Sequence, residues 1–366
     1  MNELEALVAL TSIPHLGPVK IKLLLKTFGS SINALNADIK TIEEMKGFGN
    51  KIAVGFKSWQ DDCRWKDNLD LCKRYGVQII PFTSTDYPQD LLKIDDYPLM
   101  LYVLGDLKTK AVNLAVVGTR QASIYGLEAA AKISGDLAAQ GFTIVSGLAR
   151  GIDTAAHLAA LKKGRTVAVI GSGLSDIYPK ENLRLAEEIA KNGGAVISEF
   201  PMMTPPERQN FPRRNRIVSG LSQGTLLIEA PIKSGAMITM EMALSQRRKL
   251  FAIPGRIDNE NFSGNHLLIK NGHAKLIENA ADISKTFESF EFLSTIQPQS
   301  LETGPLLTKD EQELFYRLPN EEFSIEELVE LTKWPIAKLN VLLMCLMLKR
   351  AIKEYPGKIY KKLNRG

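Results

Sequence analysis

Residues 211–222 read FPRRNRIVSGLS and set Arg213, Arg214 and Arg216 beside Asn215 and Phe211, with Arg208 just upstream. Guanidinium groups clustered at a helix start inside an otherwise apolar, glycine-punctuated stretch are costly unless an anion or carboxylates meet them. A chain of phosphates suits several planar cations in series, and Phe211 offers a ring face on which a base would stack. The opposing arrangement keeps Phe211 in the core and pairs some arginines with Glu199 or Glu229. One turn cannot bury three guanidiniums against two carboxylates, so the sequence favours an open groove.

Four glycine-rich turns follow apolar runs: GTR at Gly118 to Arg120, SGLARGID at Ser146 to Asp153, GSG at Gly171 to Gly173, and SGAMIT at Ser234 to Thr239. In a parallel sheet such turns gather at the carboxyl ends of the strands, where helix N-termini present unpaired amides to an anion. Arg120 would project from that rim toward Lys180 of IYPKEN and the arginine cluster. Asp153 reads as a helix cap. GSGLSD is not a dinucleotide fingerprint and no Walker loop occurs, so neither a nicotinamide cofactor nor ATP is supported and no cofactor is expected. Scattered histidines (His15, His157, His266, His273) and cysteines (Cys63, Cys72, Cys345) lack metal-ligand spacing, which argues against zinc and for reduced thiols.

The elements that must hold these turns alternate. VNLAVVG, FTIVSG, TVAVIGSG, AVISEF, TLLIEA and LFAIPG have strand length and are separated by amphipathic segments such as YGLEAAAKISGDLAAQ. This rhythm predicts an α/β fold with a doubly wound, mostly parallel sheet over residues 86–290. Residues 1–85 read as short helices broken by glycine turns, and Gly47-Phe48-Gly49 resembles the turn of a helix-hairpin-helix (SAM-like) module. The turn at His15 departs from that pattern, with His in place of the leading glycine. Residues 291–306 read as a polar linker, and residues 307–366 as a winged helix made of three helices and a hairpin. That last part is polarised: two Lys and Arg stand against eight acids from Pro305 to Thr332, nine against one from Lys333 to Gly366. Its basic half makes duplex DNA a candidate partner, whereas LLMCLMLK reads as core.

With 366 residues, 45% hydrophobic and 24% charged, the chain has the composition of a soluble multidomain protein. No apolar run reaches the length of a membrane span, and MNELEALVAL lacks the features of an export signal, so a cytoplasmic location without membrane contact is expected. The net charge of +5 is too weak alone to argue for nucleic acid.

At these residues the chain resembles the DNA-processing protein A family, also called DprA or Smf. GTR, SGLARGID, VAVIGSGLSDIYPKEN, GAVISEFP, FPRRNRIVSGLS, LLIEAPIKSGAMIT and FAIPG occur in the family's order, with Thr119 where members usually carry Ser. The resemblance implies a Rossmann-like core that binds single-stranded DNA without enzymatic activity, protects DNA entering during transformation and loads the RecA recombinase. It implies a homodimer formed through the core, and a DNA-contacting set of Arg120, Ser146, Gly147, Arg208, Phe211, Arg213, Asn215 and Arg216, to which Lys180 and Arg214 are added. The family is also similar to the LOG nucleotide-processing enzymes. On that alternative the chain would be a phosphoribohydrolase in which Arg214 or Arg216 grips a phosphate and Glu229 acts on the glycosidic bond.

Overall fold

Short runs rich in Val, Ile, Leu and Ala form the strands of one sheet in the computed structural model, which describes residues 1–107, 112–287, 307–319, 321–349, 351–355 and 357–363. The strands are β1 (Gln78–Pro81), β2 (Met100–Gly105), β3 (Asn113–Val117), β4 (Thr143–Ser146), β5 (Arg165–Val169), β6 (Ala195–Ser198), β7 (Gly224–Leu227), β8 (Lys249–Ala252) and β9 (Lys275–Leu276). Their order is β1-β2-β6-β5-β4-β3-β7-β8-β9. From β6 to β9 all neighbours run parallel, and β1 and β2 are antiparallel additions at one edge. All six strand-length runs in the sequence are strands; β1, β2 and β9 lie outside them.

Alternate residues of each strand enter opposite layers, as the pleat requires. Leu114 and Val116 of β3 face α7 (Ile124–Ala139) and α8 (Ile152–Lys163), whereas Ala115 and Val117 face α10 (Asn210–Gly220) and α11 (Gly235–Ser245). Helix α9 (Leu183–Lys191) covers β5 and β6 through Leu185, Ala186 and Ile189. Helices α12 (Ser263–Lys270) and α13 (Ala280–Ser284) complete the layers beside β8.

Ahead of the sheet come α1 (Glu3–Ser12), α2 (Pro18–Phe28), α3 (Ser31–Leu35), α4 (Ile39–Glu44), α5 (Asn50–Ser58) and α6 (Arg64–Tyr75). Their apolar residues share a cluster with Met100 and Tyr102 of β2. Strand β1 falls within the span 1–85 expected to be helical, yet it pairs with β2 from Gln78↔Val103 to Pro81↔Met100. The sheet therefore begins before residue 86. The two glycine turns also prove alike. His15 (φ 64°) adopts the left-handed conformation of Gly47 (φ 87°), Leu16 and Phe48 are buried behind them, and Gly17 and Gly49 each start a helix with no side-chain cap. The expected departure at His15 is one of residue type and not of backbone shape.

The chain divides into two units, Met1–Thr295 and Ile296–Gly366. The proposed linker, 291–306, lies outside the described residues. In the second unit α14 (Lys309–Arg317), β10 (Phe323–Ser324), α15 (Ile325–Thr332), α16 (Ile336–Leu348), β11 (Ile352–Tyr355) and β12 (Ile359–Lys362) follow the helix and strand order read as a winged helix. Capping boxes at Thr308/Glu311 and Ser324/Glu327 fix the starts of α14 and α15.

One buried polar group in the core is sensitive to pH. His157 of α8 is fully buried, its Nδ1 lies 2.7 Å from Thr166 Oγ1, and Thr166 donates to Ile144 O. Burial, with Arg214 nearby, lowers its pKa from 6.5 to about 3. The unfolded chain thus takes up this proton first, so the histidine's contribution to stability is lost as pH falls from 6.5 toward 3, with a slope of about 1.4 kcal/mol per pH unit. Urea unfolding at several pH values should show that component in the wild type and not in His157→Gln; parallel profiles would refute it.

Candidate nucleic-acid interface

Strand β3 is the switch point of the sheet, with β4 on one side and β7 on the other. The crevice outside the carboxyl ends of strands at such a point is where open α/β sheets take ligands. A cavity of about 880 Å³ opens there. It is walled by Gly118, Thr119 and Arg120 after β3, by Gly147 and Ala149 after β4, by Lys233, Ser234 and Gly235 after β7, and by one side of α10. Three of the four glycine-rich turns therefore meet. The fourth, GSG, lies beneath Phe211: a Cβ on Gly171 would sit 2.9 Å from the Phe211 ring, so only glycine lets the ring settle there.

Helical phase sorts the arginine cluster. Phe211, Arg214, Asn215 and Val218 recur at i, i+3, i+4 and i+7 and face the cavity. Arg213 and Arg216 leave on the other side, toward Glu199 and Phe200. Arg216 Nη2 lies 2.7 Å from Glu199 Oε2 and its Nε 3.0 Å from Asp96 Oδ2, and Arg213 Nε lies 3.2 Å from Glu199 Oε1. Glu199 and Arg216 are buried, and Arg213 stacks over the Phe200 ring at 5.2 Å. Both were expected as DNA contacts; Arg216 is instead held in an internal ion pair, whereas Arg213 pairs with Glu199 while its side chain stays 48% exposed. Three guanidiniums do not have to share two carboxylates, because the fold also delivers Asp96 and Asp153 from distant segments.

Arg214 occupies the cavity floor. It is 4% exposed, and its Nη1 donates to Gly147 O at 2.6 Å and to Val169 O, joining the carboxyl ends of β4 and β5. Burial, more than the neighbouring Arg120, lowers its pKa to about 10 against the opposing effect of Asp153, so it remains charged at neutral pH. Asp153 accepts from Gly147 N at 3.1 Å and Ala149 N at 3.2 Å. It therefore ties down the turn that precedes α8 and does not cap the helix from outside. Gly147 lies between the two: a Cβ would meet Asp153 Oδ2 at 2.7 Å and Arg214 Nη2 at 2.8 Å.

The open side of the cavity carries the unpaired charge. Arg120, Arg208 and Lys233 are exposed, and none has an ion pair among the described residues. Arg120 lies over the Phe211 ring at 5.7 Å, and the Tyr178 ring centroid also lies 5.7 Å from that of Phe211. Asn215 donates to Gly235 O at 3.3 Å and so couples α10 to the start of α11. One further expectation is corrected. Ser146 is fully buried and donates to Val116 O at 2.7 Å, so its hydroxyl bonds within the sheet. Lys180 lies outside the cavity wall, 2.5 Å from Asp176.

Glu229, which acts on the glycosidic bond in the enzymatic alternative, is fully buried and accepts from Ser123 N, Ser123 Oγ and Asn261 Nδ2. It organises the start of α7 and is absent from the cavity wall. Sequence reasoning missed Lys233 and Tyr178. Both stand inside motifs already quoted, in PIKSG and IYPKEN, where a cation beside a glycine turn and an aromatic before Pro were the available signals. A surface with three such cations, a shared aromatic face and several backbone amides at strand ends can hold successive phosphates and stack a base.

Known proteins share this sequence and fold. The family described as DNA recombination-mediator protein A matches residues 78–288, and a SAM-like helix-hairpin-helix tandem matches 7–54. Protein Smf of Escherichia coli K12 is 40% identical over 288 residues, 76% of each chain. DNA processing protein DprA of Bacillus subtilis is 42% identical over 214 residues, 58% of this chain and 71% of that protein. The X-ray structure of DNA processing protein A from Streptococcus pneumoniae aligns with a TM-score of 0.68 at 35% identity, covering 78% of this chain and 98% of that one. DNA processing protein A from Helicobacter pylori, described for its single-stranded DNA binding mode, aligns at 0.52 and 31% identity over 58% of this chain and 96% of its own. By both its sequence and its sheet, this chain belongs to the DNA recombination-mediator protein A family, the DprA/Smf proteins.

Proposed function

We propose that this chain binds single-stranded DNA without reading its sequence and without chemical turnover, protects DNA entering the cell during transformation and passes it to RecA recombinase. The observation that carries this reading is the set of unpaired cations, Arg120, Arg208 and Lys233, around a cavity where the half-buried Phe211 packs against the exposed Tyr178. Cations in series neutralise phosphates, and a ring face stacks any base, so the surface favours an unpaired strand of arbitrary sequence. The relative from Helicobacter pylori, described as binding single-stranded DNA, supports the same ligand. The reading includes a homodimer formed through the core, which would multiply a weak footprint along one strand.

Anisotropy titrations with labelled oligo(dT) test this directly. Arg120→Ala with Arg208→Ala should weaken binding about tenfold or more and flatten the salt dependence by about 0.7 in log–log slope for each phosphate no longer neutralised. Unchanged affinity in a folded variant would reject the site.

Arg216→Met should behave differently, because it leaves the buried Glu199 carboxylate with the half-exposed Arg213 as its cation. Losing both partners would cost about 3–5 kcal/mol and losing one costs less, so the melting temperature should fall while the folded fraction binds DNA with nearly native affinity. A large drop in affinity at unchanged stability would return Arg216 to the DNA-contacting residues.

Glu229 is saturated by hydrogen bonds behind the cavity, which supports the absence of nucleotide hydrolysis. Nucleoside monophosphates incubated with the protein should release no free base. Release abolished by Glu229→Gln would overturn the binding-only reading.

A further inference from the structure

Helix α16 is apolar on two opposite faces. Leu339, Leu342, Leu343 and Leu346 are buried in the core of the second unit. At 100° per residue, Ala337, Val341, Met344 and Leu348 fall on the other side, spaced i, i+4, i+7 and i+11. Val341 is 63% exposed, Met344 61% and Leu348 76%. The LLMCLMLK run, read from sequence as core, is therefore core on one face only. A helix apolar around its circumference is ordinarily covered, and the seam here has the spacing of a helix-pairing stripe.

The basic half of this unit made duplex DNA a candidate partner, but the outer face of α16 is poorly equipped for it. Base edges in the major groove are read by Arg, Lys, Asn or Gln, and this face offers Asn340 among the described residues. Lys338 on its flank is engaged with the Trp334 ring at 4.1 Å and with Asp310 at 3.8 Å. The charge of this helix and of the hairpin that follows it also selects among protein partners. Among the described residues from Lys333 to Lys362, seven lysines stand against one acid, Glu354. A second copy paired face to face would oppose this cationic half with itself, whereas an acidic partner would be attracted by it.

We propose that the outer face of α16 docks an amphipathic helix of another protein, apolar along one side and flanked by Asp and Glu. Val341, Met344 and Leu348 enter that helix's apolar seam, and the basic half of the unit orients it.

The test uses the full chain and two synthetic helical peptides with the same Leu stripe, one flanked by Glu and the other by Lys, read by anisotropy. The Glu-flanked peptide should bind about tenfold tighter or better than the Lys-flanked one. Val341→Gln with Met344→Gln, both exposed, should weaken it about tenfold at unchanged melting temperature, and Leu348→Gln alone should act in the same direction. Arg120→Ala with Arg208→Ala should leave it unchanged. Equal affinity for the two peptides, or binding indifferent to the α16 substitutions but abolished with Arg120 and Arg208, overturns the proposal. So does a duplex DNA complex, or a dimer seen by light scattering, that the α16 substitutions abolish.

Discussion

A buried guanidinium holds the cavity together. Arg214 reaches under the sheet edge to the carbonyls of Gly147 and Val169, and Asp153 holds the amides of the same turn from the other side. An isolated charge at such depth would be prohibitive. Here carbonyl dipoles and a carboxylate replace its water, and the ends of two strands are fixed relative to α10. Arg120, Phe211 and the glycine turns inherit their positions from this anchor. The close approach explains why residue 147 is glycine, since any side chain would collide with both partners.

The sheet was legible because parallel strands buried on both faces leave continuous apolar runs, and four of the six runs are followed by glycine-rich turns. The edge was not. β1 reads QIIP, short and closed by proline, and only its pairing with β2 separates it from a loop. The candidate site was legible as a set of segments but not as a set of side chains. FPRRNR declares many cations, yet which of them faces solvent depends on where α10 begins. A shift of one position would exchange the roles of Arg213 and Arg214. Asp96 and Asp153 determine which arginines are neutralised, and nothing local to the cluster announces them.

Ser146 and Glu229 illustrate the converse. Both stand in strongly patterned motifs, and both prove to be internal fasteners, one closing on Val116 O and the other gathering Ser123 and Asn261. A polar residue beside a glycine turn is as apt to finish the scaffold as to meet a ligand, and burial separates the two cases. Lys233 and Tyr178 show the opposite outcome, since exposure at the cavity mouth gives importance to residues whose types alone drew no attention.

The two-sided use of α10 has a mechanical corollary. Glu199 and Asp96 rivet its rear through Arg213 and Arg216, so the front presents its groups already oriented. The ordering entropy of that helix is met when the chain folds and not when an anion arrives. Loosening the rear would leave every front-side residue in place on paper while letting the surface blur.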